Sequence, residues 1–181
     1  MLRPSSNKPS VDLLTNKIPT IIVSKQAIKK MKVYIDECDQ EVGWLGTAHK
    51  HGNTYIIDDV MLFDQEVHST TTEITPEGLS SFGEKILNTK NGIELWNSIK
   101  VWGHSHVNMS TFASHQDDEQ MKVFSDSGHD FFIRIIGNKK DEMRIDLYEY
   151  TTGVIYHHIP WLIEKTEEEI KIENHIKALQ E

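Results

Sequence analysis

The alternation of hydrophobic and polar residues divides most of this chain into short strands and helices. Apolar and β-branched residues in short runs predict strands, and apolar residues three and four positions apart predict helices. The predicted strands are 19–23, 41–48, 54–63, 99–103, 130–137, 143–150 and 154–159. The predicted helices are 25–38, 75–87 and 114–125. This order predicts an α/β fold of the mixed α+β kind, with a central mixed β-sheet flanked by helices.

Turn and cap residues punctuate these elements. Ser24 has the position of an N-cap, and Thr75 followed by a proline marks another helix start. Asn91-Gly92 predicts a break after the second helix. Polar turns at 49–53 and 151–153 predict two hairpins.

The chain has 181 residues, a length that suits one ordinary domain with its own core. Residues 1–18 are rich in Pro, Ser, Asn and Lys, which predicts a loose N-terminal arm. Residues 19–160 are expected to form the domain, and 161–181 a C-terminal helix that packs on the domain or on a partner. The sequence does not determine the oligomeric state.

Composition excludes several classes of function. A net charge of −9 lacks the positive field expected of a nucleic-acid or anionic-membrane binder. The sequence shows no apolar span of about 18 residues and no apolar core of a secretory signal near its start, so neither a membrane span nor export is expected. The single cysteine, Cys38, excludes an intrachain disulfide and is interpreted as an ordinary helix residue. We therefore expect a cytoplasmic protein.

The chemistry is concentrated at His104, His106 and Asp117. Residues two apart on a strand point to the same side, so both imidazoles can converge on one ion. A short loop can then bring Asp117, at the start of the next helix, over the same place. Two imidazoles and one carboxylate form a three-ligand Zn²⁺ set that leaves the fourth position open, as in catalytic sites.

Such a site also needs a carboxylate that takes a proton from water without binding the metal. Glu41 is the best candidate, because it opens a strand and is followed by glycines that allow close approach. Spacing alone does not select it. The other carboxylates in the same stretch are Glu37, Asp58, Asp59, Glu66 and Glu73.

Two segments resemble the JAMM (MPN+, Mov34/PAD-1, JAB) zinc metallopeptidases. Residues 101–117 read VWGHSHVNMSTFASHQD, which is similar to the family's HxH-x7-SxxD signature. Residues 41–46 read EVGWLG, which is similar to the element that carries the family's catalytic glutamate. The resemblance implies His104, His106 and Asp117 as ligands of one catalytic zinc, Glu41 as general acid/base, and Ser114 as an oxyanion stabiliser.

The resemblance covers about 21–159 and implies an MPN/JAB domain similar to the cytidine-deaminase core. It also implies a peptidase or isopeptidase that acts on a ubiquitin-like or small peptide–amine conjugate. The motif sequence is closer to that of bacterial and phage members of the family. If the chain is phage-encoded, it is expected in the host cytoplasm. Two positions depart from the family: Val107 stands where eukaryotic members often have proline, and Trp44 replaces the second glycine of a pair.

Two other functions are weighed against this one. A non-catalytic MPN scaffold or phage assembly protein would usually have lost a ligand or the glutamate, and here all five positions are filled. A zinc deaminase would need H-x-E with P-C-x-x-C, and one cysteine is not enough.

Several candidate residues also have simpler interpretations. His49 and His51 repeat the HxH pattern at a predicted turn, but no carboxylate follows them at the spacing of the SxxD motif. This indicates exposed surface histidines. Ser114-x-x-Asp117 is also a helix capping box. Asp118 adjoins the predicted ligand, but the spacing favours Asp117.

The remaining aromatic and histidine positions are expected to be structural. His157 and His158 are predicted to be structural or surface residues, and Trp96, Trp102 and Trp161 core or edge residues. For Trp44 the sequence leaves open a place in the core or in the substrate groove.

Overall fold

The computed structural model describes residues 18–63, 65 and 76–180, and it shows a mixed α+β fold. The strands are β1 (Thr20–Val23), β2 (Gly43–His51), β3 (Thr54–Met61), β4 (Ile99–Ser105), β5 (Phe131–Gly137), β6 (Met143–Glu149), β7 (Val154–Tyr156) and β8 (Trp161–Ile163). The helices are α1 (Lys25–Glu37), α2 (Pro76–Leu87), α3 (Gly92–Ser98), α4 (His115–Asp126) and α5 (Glu167–Leu179). The predicted class, a mixed sheet with helices, is confirmed.

The strands described form one sheet in the order β7-β6-β5-β4-β2-β3-β1-β8. β4 pairs parallel with β5, and β1 pairs parallel with both β3 and β8. The other neighbours are antiparallel. β4 therefore lies inside the sheet between β2 and β5, and its backbone is fixed from both sides.

Helices cover both faces of the sheet. Since successive strand residues point to opposite faces, each strand contributes to two separate cores. On one face, Ala27, Met31 and Ile35 of α1 pack in a core with sheet residues such as Val101 and Ile133. On the other face, a second core contains Phe82 and Ile86 of α2, Met121 and Phe124 of α4, and sheet residues including Trp102 and Phe132. We call these the α1 face and the α4 face.

The predicted break at Asn91-Gly92 is confirmed, since α2 ends at Leu87, but the short helix α3 that begins at Gly92 was not predicted. Asn91 has a left-handed backbone with φ of 64°, a conformation that asparagine tolerates better than most residues. At Gly92 a Cβ atom would lie 2.1 Å from the carbonyl oxygen of Ile86, so only glycine fits. The same two residues that indicate a break thus make a tight turn between α2 and α3.

The C-terminal segment also differs from the expected helix over 161–181. Residues Trp161–Ile163 form the edge strand β8 beside β1, and the helix begins only after the N-cap Thr166. An ion pair of 2.7 Å between Lys25 and Glu169 connects α5 to the start of α1. The expected end of the domain at 160 therefore cuts through the sheet.

The first hairpin turn is shorter than the predicted 49–53, since β2 continues to His51 and Gly52 turns the chain with φ of 60°. Along the described ranges, no helix has both the length and the apolar composition needed to cross a membrane. The expected arm at 1–18, apart from its last residue, lies outside the described residues, as do Thr75, Glu66 and Glu73.

Candidate metal centre

The end of β4 brings two histidines to the α4 face. His104 lies in the strand and His106 directly follows it. The two residues are 1% and 8% exposed, respectively. The ring of His104 packs against Trp102, with 4.8 Å between ring centroids. Because Trp102, His104 and His106 alternate along an extended backbone, all three share one face of the sheet.

Helix α4 positions the carboxylate of Asp117. Ser114 is the N-cap, and its hydroxyl oxygen accepts a hydrogen bond of 3.2 Å from the Asp117 backbone N–H. In return, the Ser114 backbone N–H donates to Asp117 Oδ2 at 2.6 Å. This reciprocal capping box is the simpler interpretation of the S-x-x-D motif, and it also fixes the rotamer of Asp117 at the helix start.

The three predicted ligands converge. His104 Nε2 lies 3.0 Å from His106 Nε2 and 3.1 Å from Asp117 Oδ1, and His106 Nε2 lies 3.9 Å from Asp117 Oδ2. One ligand atom from each side chain falls within 4.8 Å of the others, and each residue is buried. Zinc–nitrogen and zinc–oxygen bonds of about 2.0–2.2 Å would span such separations. The group could therefore hold a metal ion.

The hydrogen bond of His106 fits cation binding. His106 Nδ1 lies 2.7 Å from the Ser110 carbonyl oxygen, which can only accept, so the proton of a neutral ring is on Nδ1 and Nε2 has the lone pair. His104 lacks such a partner: its Nδ1 is buried without a hydrogen bond in the described part of the chain, as are the indole nitrogens of Trp44 and Trp102.

The charges of the site favour the ligand forms of these groups. Burial acts to raise the pKa of Asp117, but hydrogen bonds from His104 and from the Ser114 backbone outweigh it and hold the pKa well below its usual value. Burial lowers the pKa of His104, although Asp117 partly opposes this. The carboxylate is thus ionised and the His104 imidazole neutral, as metal ligands must be.

Glu41 lies beside the converging ligands. β2 and β4 pair in register at Gly43 and His104, and Ser105 N–H continues the pairing by donating to the Val42 carbonyl at 2.9 Å. One further step of this register sets Glu41 opposite His106, on the same face of the sheet. Glu41 is buried, which raises the pKa of its carboxyl; His106 partly opposes this shift and Asp117 adds to it.

The structure separates Glu41 from the competing carboxylates that it describes. Glu37 is at the exposed end of α1. Asp58 pairs with His49 at 2.8 Å and Asp59 with Lys30 at 2.7 Å. Pairing along β2 and β4, rather than any local motif, therefore brings one of these carboxylates to the site.

Ser114 is exposed at the mouth of the site. Its oxygen is used by the capping box as an acceptor, so the hydroxyl proton is still available for donation. Asp118, the neighbour of the predicted ligand, points instead to Arg134 at 2.7 Å. The structure thus places Asp117, and not Asp118, with the histidines.

Trp44 belongs to the core rather than to a groove. It is fully buried on the α1 face, and its ring lies 6.0 Å from that of Tyr34. A Cβ atom at position 103 would lie 2.3 Å from Trp44 Nε1, which explains the glycine of the W-G-H-S-H segment. The departure at position 44 is therefore a packing feature of the opposite face.

The second HxH pair does not form a comparable group. His49 and His51 are exposed on β2, and the pairing of His49 with Asp58 supplies one carboxylate only. The sequence pattern did not point to Arg134, a fully buried arginine on the α4 face whose positive charge helps to lower the pKa of His104. A lone charge within the apolar run 131–137 was the signal that could have revealed it.

An open groove of about 520 Å³ lies between the loop that follows His106 and the start of β6. The loop that leaves His106 forms one wall, and its Phe112 is 75% exposed. Arg144 and His158 contribute to the other side, and the Arg144 guanidinium lies 6.0 Å from the Phe112 ring. The groove is connected to the site through Ser110, whose carbonyl oxygen lies 2.7 Å from His106 Nδ1.

No protein-family model matches this chain, and no curated protein matches it. The function is therefore inferred from the residues of the site and their geometry.

Proposed function

We propose that this protein is a zinc-dependent peptidase or isopeptidase of the JAMM (MPN+) type. The observation that carries the proposal is the buried convergence of His104, His106 and Asp117 with Glu41 beside them. Three protein ligands leave a tetrahedral ion one open position, and a nearby carboxyl that does not join the ligand cluster can serve as acid and base. The resemblance at 41–46 and 101–117 assigns the same residues the same roles.

Each residue has a distinct task in this chemistry. A bound zinc ion would supply Lewis-acid activation of a water molecule and of the scissile carbonyl. Glu41 accepts the proton of the water and later gives it to the leaving amine, and a pKa raised by burial suits both steps. Ser114 donates its hydroxyl proton to the developing negative charge on the carbonyl oxygen.

The fold is compatible with this assignment. Helix α1, the hairpin of β2 and β3, helix α2, the HxH strand β4 and the SxxD helix α4 follow one another in the order that the resemblance implies. We propose on this basis that the domain is of the MPN/JAB kind, similar to the cytidine-deaminase core. Val107 has φ of 51°, which the fixed φ of proline excludes, so this chain could not have the proline of eukaryotic members without rebuilding the loop.

The proposed substrate is a ubiquitin-like tail or a small peptide joined to an amine. Exposed Phe112 and the groove beside it offer an apolar contact for an extended chain. Only four residues, 127–130, separate α4 from β5, which leaves no room there for a large insertion that could recognise a second ubiquitin. Selectivity for one linkage in a ubiquitin chain is therefore disfavoured.

The first test is zinc content. Elemental analysis of the purified wild type should give one zinc per chain, and the double variant His104→Ala/His106→Ala should give none. Absence of zinc from the wild type after reconstitution would refute the hydrolase and favour a scaffold protein.

Activity is tested next on ubiquitin-like and short peptide–lysine conjugates. Glu41→Gln should retain zinc and lose roughly 10²–10⁴ in rate, the usual contribution of general acid–base catalysis. Ser114→Ala should retain zinc and lose on the order of 10²–10³, as expected for one oxyanion donor. If the zinc-loaded wild type hydrolyses none of the conjugates faster than Glu41→Gln does, the protein is a non-catalytic MPN scaffold.

A further inference from the structure

Arg134 is the one charged residue of β5, a strand whose residues are all buried. It is fully buried, and so are both of its neighbours, Ile133 and Ile135. In the parallel register of β4 and β5 it lies beside Trp102, so its side chain shares the face that carries His104. A guanidinium at this place is costly to bury unless each of its donors has a partner.

One side of the guanidinium is fixed by the sheet. Asp146 is the cross-strand partner of Arg134, and its Oδ2 accepts from Arg134 Nε at 3.0 Å and from Nη2 at 2.6 Å. Asp146 is itself held through Oδ1, which accepts from the His158 backbone N–H at 2.6 Å and from Arg144 Nε at 2.9 Å. Contacts within the sheet therefore fix the orientation of the Arg134 guanidinium, independently of its contact with helix α4.

The other side of the guanidinium holds helix α4. Arg134 Nη1 donates to Asp118 Oδ1 at 2.7 Å, and Asp118 directly follows the ligand Asp117. The apolar anchors of α4, Met121 and Phe124, lie one and two turns further along. The ion pair with Asp118 thus connects the first turn of the helix to the strand beside the histidines.

We propose that Arg134 is a positioning residue of the metal centre: through Asp118 it sets where α4 presents the Asp117 carboxylate to His104 and His106. This inference rests on the proposed metal centre. Stability alone is a weak reason for the arrangement, because a buried ion pair seldom stabilises more than apolar residues of similar size. The Asp118 side chain is also 51% exposed, and half-exposed pairs contribute little to folding.

The test removes the ion pair between Arg134 and Asp118 by changing its exposed partner, Asp118. Asp118→Asn deletes the charge that holds Arg134, and Glu119→Gln is the matched control, since it deletes a charge of equal sign and equal exposure one residue further along α4. Zinc affinity is measured by competition with a chelator. Asp118→Asn should weaken zinc binding by roughly 10–100-fold, the usual effect of losing a group that orients a ligand. Glu119→Gln should stay within about twofold of the wild type, because it lacks such a contact with the sheet.

Two more measurements separate positioning from folding. The visible absorption of the Co²⁺-substituted protein should change in Asp118→Asn and not in Glu119→Gln, while the melting temperatures of the metal-free proteins stay alike. Asp118→Glu, which keeps the carboxylate, should recover part of the affinity. Arg134→Lys keeps the charge and loses the fork, so it should weaken zinc binding as well.

Wild-type zinc affinity in Asp118→Asn would overturn the inference, as would an equal loss in Glu119→Gln, which would indicate a general effect of charge at the helix start. Failure of the wild type itself to bind zinc would be a different result, since it would refute the proposed function.

Discussion

The two faces of the sheet are built on different principles. The core of the α1 face is almost entirely apolar, with Ala27, Met31 and Ile35 packed on strand residues such as Ile133. Its one buried carboxylate among the described residues, Glu149, lies at the end of β6 and accepts a hydrogen bond from the Tyr55 hydroxyl. The α4 face has an apolar core too, but it buries a larger group of charged and titratable residues: Glu41, His104, His106, Asp117, Arg134 and Asp146.

This difference shows which face depends more on specific polar partners. Apolar residues of similar volume can replace one another at modest cost. A buried polar group, in contrast, requires specific partners, and its burial costs free energy that folding does not recover unless those partners are present. On the α4 face most of these groups have partners at 2.6–3.1 Å. We therefore expect substitutions on the two faces to differ in how much they change the free energy of unfolding and in whether they change zinc affinity.

The largest effect on stability is expected at Asp146. Asp146→Ala removes the carboxylate oxygen that accepts from both Nε and Nη2 of the fully buried Arg134, and breaking a buried pair in this way costs about 3–5 kcal/mol. Urea denaturation at neutral pH measures the change in the free energy of unfolding. Asp39→Ala, at a side chain 97% exposed, should change it by less than about 0.5 kcal/mol. Similar small changes in both variants would remove the distinction between the faces.

A somewhat smaller effect is expected at the backbone after His106. Val107→Pro is incompatible with φ of 51° and removes the N–H that donates to Ser105 Oγ at 3.0 Å, so we expect a loss of about 2–3 kcal/mol. Zinc binding should weaken as well, because His106 precedes the rebuilt residue. Val107→Gly, which accepts the same φ freely, is the control and should keep the stability within about 1 kcal/mol. If proline is tolerated as well as glycine, this loop does not constrain His106.

Acid should weaken the α4 face through the same carboxylate. Burial raises the pKa of Asp146, but hydrogen bonds from His158 and Arg134 outweigh it, and the net pKa is below the usual value. The stabilisation is therefore complete above an unfolded pKa of about 3.9 and is lost as the pH falls through the folded value. The loss should be smaller than in Asp146→Ala, since a protonated carboxyl can still accept hydrogen bonds.

Denaturation of the metal-free protein from pH 7 down to about pH 2 measures this loss. The low pKa of Asp117 contributes to the acid sensitivity as well. Asp146→Asn should therefore reduce the dependence on pH without abolishing it, whereas Asp126→Asn, at the exposed end of α4, should retain it in full. An unchanged slope in Asp146→Asn would assign the acid sensitivity to other groups.

The smallest effect is expected on the α1 face. Ile133→Val removes one buried methylene group and should cost about 0.5–1.5 kcal/mol in the free energy of unfolding. Zinc affinity should be unchanged, because the side chain points away from His104. A loss of zinc affinity larger than in Asp118→Asn would show that the two faces are coupled through the strand.

Local rules were sufficient for much of the fold and for part of the site. The apolar patterns predicted β1, α1, β5 and the C-terminal hairpin to within a few residues. Helix α3 was missed because Asn91 and Gly92 indicate a turn whether or not a helix follows. Strand β8 was missed because three residues are too few for a periodic signal, and only pairing with β1 makes them a strand.

The sequence by itself determined the group of His104, His106 and Asp117 that could hold a metal ion. Alternation along a strand places His104 and His106 on one side, and the S-x-x-D capping box turns Asp117 toward its own helix start; both are effects of neighbouring residues. Only the tertiary structure decided which distant residues support them. The register of β2 on β4 brought Glu41 to His106, and the pairing of β5 with β4 and β6 buried Arg134 between Asp146 and Asp118. These contacts join residues far apart in the chain, and their partners are selected by strand pairing and packing, for which no local pattern exists.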